Sequence, residues 1–79
     1  MEWSLGSGKK KYKVRVKGKT VQFGHVEYEH YKDKTPLGAW SHKDHGDKRR
    51  RSNYRKRHGA KGYQLVKYSP AWFSWHYLW

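Results

Sequence analysis

Residues 11–23 alternate between apolar and polar side chains with a period of two, and no other pattern restricts the fold of this chain as strongly. The apolar positions are Tyr12, Val14, Val16, Val21 and Phe23. Such alternation on both sides of a Gly predicts a β-hairpin. With Lys17-Gly18 as a two-residue loop, Val14 lies opposite Val21 and Tyr12 opposite Phe23, so that all the apolar residues share one face. A register shifted by one residue would scatter them.

A basic helix is predicted from Lys48 to His58. Asp44 or Asp47 can cap its start, and Gly59 ends it. Acidic residues before the helix and basic residues at its end both suit the helix dipole. Because Tyr54 is the only large apolar residue of the segment, we expect tertiary packing to hold this helix loosely. Contact with an anionic surface or with a surrounding protein would then stabilise this helix.

The C-terminal segment after Ser69-Pro70 predicts a short helix, because Ser is a favoured N-cap and Pro is tolerated at the first helical position. Its aromatic residues lie on at least two faces, and one sheet can cover only one of them. We therefore expect one face to close the hairpin core and the other to dock on a neighbouring protein. The predicted docking residues are Trp72, Phe73, Trp75, Tyr77 and Trp79.

The remaining segments carry weaker signals. Residues 1–10 mix Trp3 and Leu5 with Gly and Ser without a regular period, which indicates a flexible arm. Thr35–Gly38 is typical of a turn, Trp40 is a candidate core residue, and residues 63–68 could form one short strand. Together these patterns predict a single small α+β domain over residues 11–79. It would contain an N-terminal β-hairpin with a possible third strand, a basic helix and a short aromatic C-terminal helix.

The charge of the chain points to an anionic partner. Nineteen Lys and Arg residues face six Asp and Glu residues, which gives a formal net charge of +13 and a pI near 10.2. A protein with this positive charge attracts polyanions. The charge alone does not distinguish nucleic acid, an anionic membrane surface and an acidic protein surface as the partner. The residues expected to contact the anionic surface are Lys9, Lys10, Lys11, Lys13, Arg15, Arg49, Arg50, Arg51, Arg55, Lys56 and Arg57.

Several kinds of chemistry find no support in the sequence. There is no Cys, which excludes disulfides, Cys-based zinc sites and a thiol nucleophile. His42 and His45, with His58 further along, form only a weak metal motif, and no Ser lies in a nucleophile elbow. We therefore predict a non-enzymatic protein without a metal, cofactor or small-molecule substrate. No apolar run reaches the roughly 20 residues of a membrane span, so a soluble or peripheral protein is expected.

Three segments carry a resemblance to a known family. They are Gly18–Gly24 (Gly-Lys-Thr-Val-Gln-Phe-Gly), Asn53–Gly59 (Asn-Tyr-Arg-Lys-Arg-His-Gly) and the Phe73–Trp79 terminus. Over nearly everything after Lys9, the chain resembles a family of short basic proteins encoded by nucleocytoplasmic large DNA viruses, including algal ones. The resemblance supplies no catalytic residues and implies a viral structural setting.

Within that setting, we expect a minor capsid protein that bridges major and minor capsid subunits beneath the shell, because a basic chain with a small core and an aromatic tail suits that position. The anionic partner could also be the inner membrane surface or viral DNA. Such a protein would lie in the virion capsid, and inside the host cell during assembly. The alternative is a viral nucleic-acid-binding or packaging protein that makes non-specific phosphate contacts.

Overall fold

Three antiparallel strands form the N-terminal part of the computed structural model, which describes residues 1–79, and two helices follow. The strands are β1 (Glu2–Leu5), β2 (Lys10–Val16) and β3 (Lys19–His25), hydrogen-bonded in that order. A long connection containing a single 3₁₀ turn at Ser41–Lys43 leads to α1 (Lys48–Gly59), and α2 (Pro70–Tyr77) ends the fold. The predicted α+β class is confirmed.

The β2–β3 hairpin has the predicted register. Tyr12 pairs with Phe23, Val14 with Val21 and Val16 with Lys19. Lys17 (φ 50°) and Gly18 (φ 72°) both adopt positive φ, as the two central residues of a type I′ turn must. Gly adopts this conformation without steric cost, which explains its place in the loop.

The prediction of a flexible N-terminal arm is wrong for Glu2–Leu5, because these residues form the edge strand β1. Trp3 pairs with Val14 and places its ring against the core, edge-on to Phe23 (6.0 Å between ring centroids) and Phe73 (5.9 Å). A single half-buried Trp anchors the strand. Four residues are too few for a period to be visible in the sequence.

Seven buried apolar residues form one core between the sheet and α2, namely Tyr12, Val14, Val16, Val21, Phe23, Phe73 and Leu78. Phe73 is completely buried and stacks on Phe23, with 5.4 Å between centroids and 19° between planes. Trp40, as predicted, packs against this core. The core is small, since only 11 of the 79 residues are buried.

Both helix starts are capped as the sequence predicts. Asp47, rather than Asp44, caps α1, and its Oδ1 accepts hydrogen bonds from the backbone N–H groups of Arg49 (2.9 Å) and Arg50 (3.2 Å). Ser69 caps α2, with its Oγ accepting from the N–H of Trp72 at 3.1 Å. Each cap satisfies backbone donors that a helix start leaves without partners.

No strand forms at residues 63–68, so the prediction there is wrong; the third strand is β1. Residues 59–69 instead reverse the chain between the two helices through successive tight turns. The N–H of Leu65 donates to the carbonyl of Gly62, and that of Ser69 to the carbonyl of Val66. The turns leave Leu65 (76% exposed) and Val66 (62%) in solvent, where no sheet covers them.

Asp33 organises the connection between β3 and α1. Its Oδ2 accepts a hydrogen bond from the Tyr12 hydroxyl and one from the N–H of Trp40 (3.0 Å), while Oδ1 accepts from the N–H (2.9 Å) and hydroxyl of Thr35. Burial would raise the pKa of Asp33, but these hydrogen bonds outweigh it and hold the pKa below its ordinary value. The carboxylate thus ties the loop to the core.

We expect Asp33→Asn to lower the free energy of unfolding by about 2–3 kcal/mol, because an amide nitrogen cannot accept the hydrogen bonds that one carboxylate oxygen accepts. Chemical denaturation at neutral pH measures the loss. Glu27→Gln removes the same charge from an exposed side chain and serves as the control. Equal effects of the two substitutions would contradict the structural role of Asp33.

Candidate functional site

Helix α1 is held to α2 by aromatic and guanidinium stacking. The Tyr54 ring lies flat on Trp79, with 4.3 Å between centroids and 4° between planes. The Arg55 guanidinium lies 4.7 Å above the Trp75 ring. Arg51 Nε donates to the main-chain oxygen of Trp79 at 2.7 Å. Loose packing was predicted because Tyr54 is the only large apolar residue of α1. The prediction did not include the packing of cationic side chains on aromatic rings, which also holds this helix.

The interface shields Tyr54 strongly. Burial raises the pKa of its hydroxyl to about 12. Even so, no residue of α1 is fully buried, because the side chains that touch α2 remain open on one side. The helix therefore rests on α2 and presents most of its surface to solvent.

One face of α1 forms a cationic groove of about 380 Å³. Its lining residues recur at helical spacing and are Lys48, Arg51, Ser52, Arg55 and Lys56. Residues three and four apart lie side by side on a helix, so the five side chains form one continuous row. No carboxylate lines this groove, which is called the α1 groove below.

Like charges crowd around the α1 groove. The pKa of Arg55 is lowered by burial and by the neighbouring Arg51. Partial burial, with repulsion from Arg51 and Arg55, also lowers the pKa of Lys34, which is in the preceding connection. The pKa of His76 is lowered by burial, by Arg55 and by Lys34. These cations repel one another in the free protein, so an anion bound among them would be stabilised.

The other predicted cationic residues lie on separate surfaces. Lys13 and Arg15 alternate with core residues along β2, which places them on the outer face of the sheet, away from α2. Residues exposed to solvent include Lys9, Lys10, Arg49, Lys56 and Arg57. Among the 19 Lys and Arg residues, Arg50 alone pairs with a carboxylate side chain, that of Glu29 at 3.1 Å. The positive charge is thus almost wholly available for contacts outside the chain.

Lys11 is the exception, and its prediction as a surface contact is wrong. The residue is only 2% exposed, because the connection after β3 folds over it. Its Nζ donates to the carbonyl of Tyr28 (2.6 Å) and to Nδ1 of His30 (2.9 Å). Burial, with repulsion from Lys43, lowers the pKa of Lys11 to about 8. This ammonium group fixes a loop and is not presented to a partner.

His30 continues this buried network. Because an ammonium group can only donate, Nδ1 of His30 accepts from Lys11, and Nε2–H donates to Asp44 Oδ1 at 2.6 Å. Burial and the Lys11 charge together lower the pKa of His30, so the ring is neutral near pH 7. Asp44 Oδ1 also accepts from the N–H of Asp33, at 2.8 Å. No spacing or motif in the sequence predicted that Lys11, His30 and Asp44 would lie in contact.

The predicted docking residues are largely used within the fold. Phe73 is completely buried, so its prediction as a docking residue is wrong. The other four aromatic residues of the tail are half-buried: Trp72, Trp75, Tyr77 and Trp79. The second face of α2, expected to remain for a neighbour, is covered in part by α1, and Tyr77 contacts Trp3 with 4.8 Å between centroids. Large apolar side chains are exposed elsewhere, most of all at Leu65, Tyr28 and Val66.

A second cavity, of about 590 Å³, separates the segment after β3 from the two helices. Charges of both signs line it, and the Arg50–Glu29 ion pair joins two of its lining residues. The three His residues of the weak metal motif lie apart from one another. His42 is near Trp40, His45 is near Trp79, and His58 is between Tyr54 and Tyr63. No cluster of three or more His, Cys, Asp or Glu suited to a metal ion occurs in the structure.

Neither helix combines the length and apolar character needed to cross a bilayer. Comparison of the chain with models of protein families, with curated proteins and with solved structures gave no match.

We expect the protein to lose stability as the pH falls from about 7 to 5. The folded-state pKa of His30 lies below the ordinary value of 6.5, so its contribution is complete above pH 6.5 and is lost as the pH falls through the folded pKa. A single such group contributes a slope of at most about 1.4 kcal/mol per pH unit.

Denaturation as a function of pH measures this slope. His30→Gln keeps a donor and an acceptor but removes the titrating ring, so we expect lower stability at pH 8 and a flatter profile below pH 7. His42→Gln changes an exposed ring and provides the control. A native slope in the His30→Gln variant would contradict the assignment.

Proposed function

We propose that this protein is a non-enzymatic structural protein of a virion, a minor capsid protein that bridges larger capsid subunits beneath the shell. One observation carries the proposal: unpaired cations occupy two surfaces that the core and α2 separate. The outer face of the sheet presents Lys13 and Arg15, whereas α1 presents Arg49 and Arg57, which are exposed outside its groove. A protein with cationic surfaces on two sides can contact two acidic neighbours at once.

Exposed apolar side chains support a docking role. Leu65 and Val66 project from the turn between the helices and are flanked by exposed Lys61 and Lys67. An exposed apolar pair with a charged rim resembles the centre of a protein contact more than a free surface. This pair takes over the role expected of the tryptophan-rich tail, whose rings are engaged within the domain.

The partners in this proposal are the major and minor capsid proteins, with the anionic inner membrane surface as a further contact. The resemblance to short basic proteins of large DNA viruses supports this setting, as does a chain whose small core profits from embedding in an assembly. The protein would then lie in the virion capsid, after assembly inside the host cell.

A second candidate function is nucleic-acid binding or packaging within the same particle. The specific observation in its favour is the α1 groove, where four cations and a hydroxyl line one cavity without any carboxylate. Phosphates of a nucleic acid are natural partners for such a row.

Graded disruption of purified virions separates the two functions. We expect the protein to leave with the capsid shell, because bridging contacts are made to shell proteins. The amount in each fraction can be measured with an antibody against this chain. Retention with the genome after removal of the shell would contradict the bridging role and support the packaging role.

Substitution of the exposed pair tests the docking surface. We expect Leu65→Ser with Val66→Ser to reduce incorporation into virions several-fold and to leave the fold intact, because neither side chain belongs to the core. The double variant Leu5→Ser with Leu37→Ser removes two other exposed apolar side chains and is the matched control. Equal incorporation of the two double variants would exclude Leu65 and Val66 as the contact.

A further inference from the structure

We propose that the α1 groove is a phosphate-binding site for a nucleic-acid strand, in which Arg51 and Arg55 are the central donors. The proposal concerns a site on the isolated protein and does not depend on the bridging role. It would also give the nucleic-acid candidate function its contact residues. Three features support this site: unpaired N–H donors, the fixed positions of the two guanidinium groups, and the positive charges around them.

The guanidinium groups of Arg51 and Arg55 have N–H donors that make no hydrogen bond within the protein. The Arg55 guanidinium makes no hydrogen bond to any protein atom; its Nε is buried, and its terminal N–H groups are left without partners. Arg51 uses Nε alone, on the main-chain oxygen of Trp79. A guanidinium carries five N–H donors in a planar fork, which matches the oxygens of a phosphate. A bound phosphate would therefore satisfy donors that the chain itself leaves unpaired.

Aromatic rings hold both guanidinium groups in place before any ligand arrives. The Arg55 guanidinium lies 4.7 Å from the centre of the Trp75 ring, and that of Arg51 lies 4.9 Å from the centre of the Tyr31 ring. Side chains fixed in this way lose little conformational entropy on binding, which raises affinity. Free surface arginines such as Arg49 and Arg57 have no such support.

The surrounding positive charges favour the binding of an anionic group. Lys34 lies close enough to Arg51 and Arg55 for their repulsion to lower its pKa, and Lys48 and Lys56 line the α1 groove from either end. A phosphate placed among these cations relieves the repulsion. Ser52 adds a neutral hydroxyl to the same wall.

The shape of the row favours nucleic acid over lipid or acidic protein. From Lys48 to Lys56 a helix rises about 12 Å, so the cations form a line along which successive phosphates of one strand can lie. No apolar residue lines the groove, whereas a helix that lies on a membrane inserts an apolar face. Carboxylates of a protein lack the regular spacing of the phosphates along a strand.

Two charge-matched triple variants test the site. Lys34→Gln, Lys48→Gln and Lys56→Gln remove three exposed cations, two that line the α1 groove and one near Arg51 and Arg55. Lys9→Gln, Lys19→Gln and Lys61→Gln remove three exposed cations elsewhere. At about 0.15 M salt, we expect the groove variant to lose about tenfold more affinity for a short single-stranded oligothymidylate than the control. Its salt dependence should fall by about one to two units of slope, since each lost phosphate contact on a single strand removes about 0.7.

A site-specific measurement accompanies the affinities. NMR signals of the Arg51 and Arg55 side-chain N–H groups should shift with saturation when inorganic phosphate or the oligothymidylate is added to the native protein or the control variant. Arg55→Lys keeps the charge but removes the planar fork, and we expect weaker oligonucleotide binding at an unchanged net charge. Circular dichroism and the melting temperature show that each variant remains folded.

Three outcomes would overturn the proposal. Equal loss of affinity in the two triple variants would mean that net charge alone attracts the oligonucleotide. Arginine signals that stay unchanged would place the contact elsewhere. Groove-dependent binding to phosphatidylglycerol vesicles, without groove-dependent binding to the oligonucleotide, would replace nucleic acid by a lipid headgroup. Virion fractionation is a separate measurement, so failure of the bridging role and failure of this site can be told apart.

Discussion

The fold depends on the packing of Phe73 against the sheet. This ring stacks on Phe23 and meets Trp3 edge-on, so it joins α2 to strands that are distant in sequence. Helix α1 has no buried residue of its own and rests on the far side of α2. Loss of the Phe73 contact would therefore remove the support of α1 as well. Replacing a buried Phe by Ala typically costs about 3–5 kcal/mol, which is a large part of the stability of a small domain.

Polar groups stabilise the part of the molecule that regular structure does not. The connection between β3 and α1 has few backbone ladders, and buried side chains take their place. Asp33 collects donors from Tyr12, Thr35 and Trp40, while His30 joins Lys11 to Asp44. A buried polar group without a hydrogen-bond partner costs free energy of folding. Only an arrangement of the loop that pairs all of these groups is therefore stable. A chain with few apolar residues thus achieves a defined loop through hydrogen bonds.

Local patterns predicted the local parts of the fold. The period of two identified the β2–β3 hairpin and its register, and capping residues located the starts of α1 and α2. Contacts between distant segments were not predictable. The strand β1 depends on one ring, that of Trp3, and the burial of Lys11 depends on a loop that folds back over β2. Of the cationic residues, the helical spacing of Arg51 and Arg55 was visible in the sequence, but their aromatic neighbours come from α2 and from the connection at Tyr31.

The contact of Arg51 and Arg55 with aromatic rings links the cohesion of the domain to its surroundings. The same guanidinium groups that attach α1 to α2 repel one another and their cationic neighbours. An anion bound only by the folded chain shifts the equilibrium toward that state. Without a bound anion the chain would then be less stable, and α1 would detach more readily and expose its basic residues to proteases. Assembly would protect the chain, and surplus copies that find no anionic partner would be degraded first.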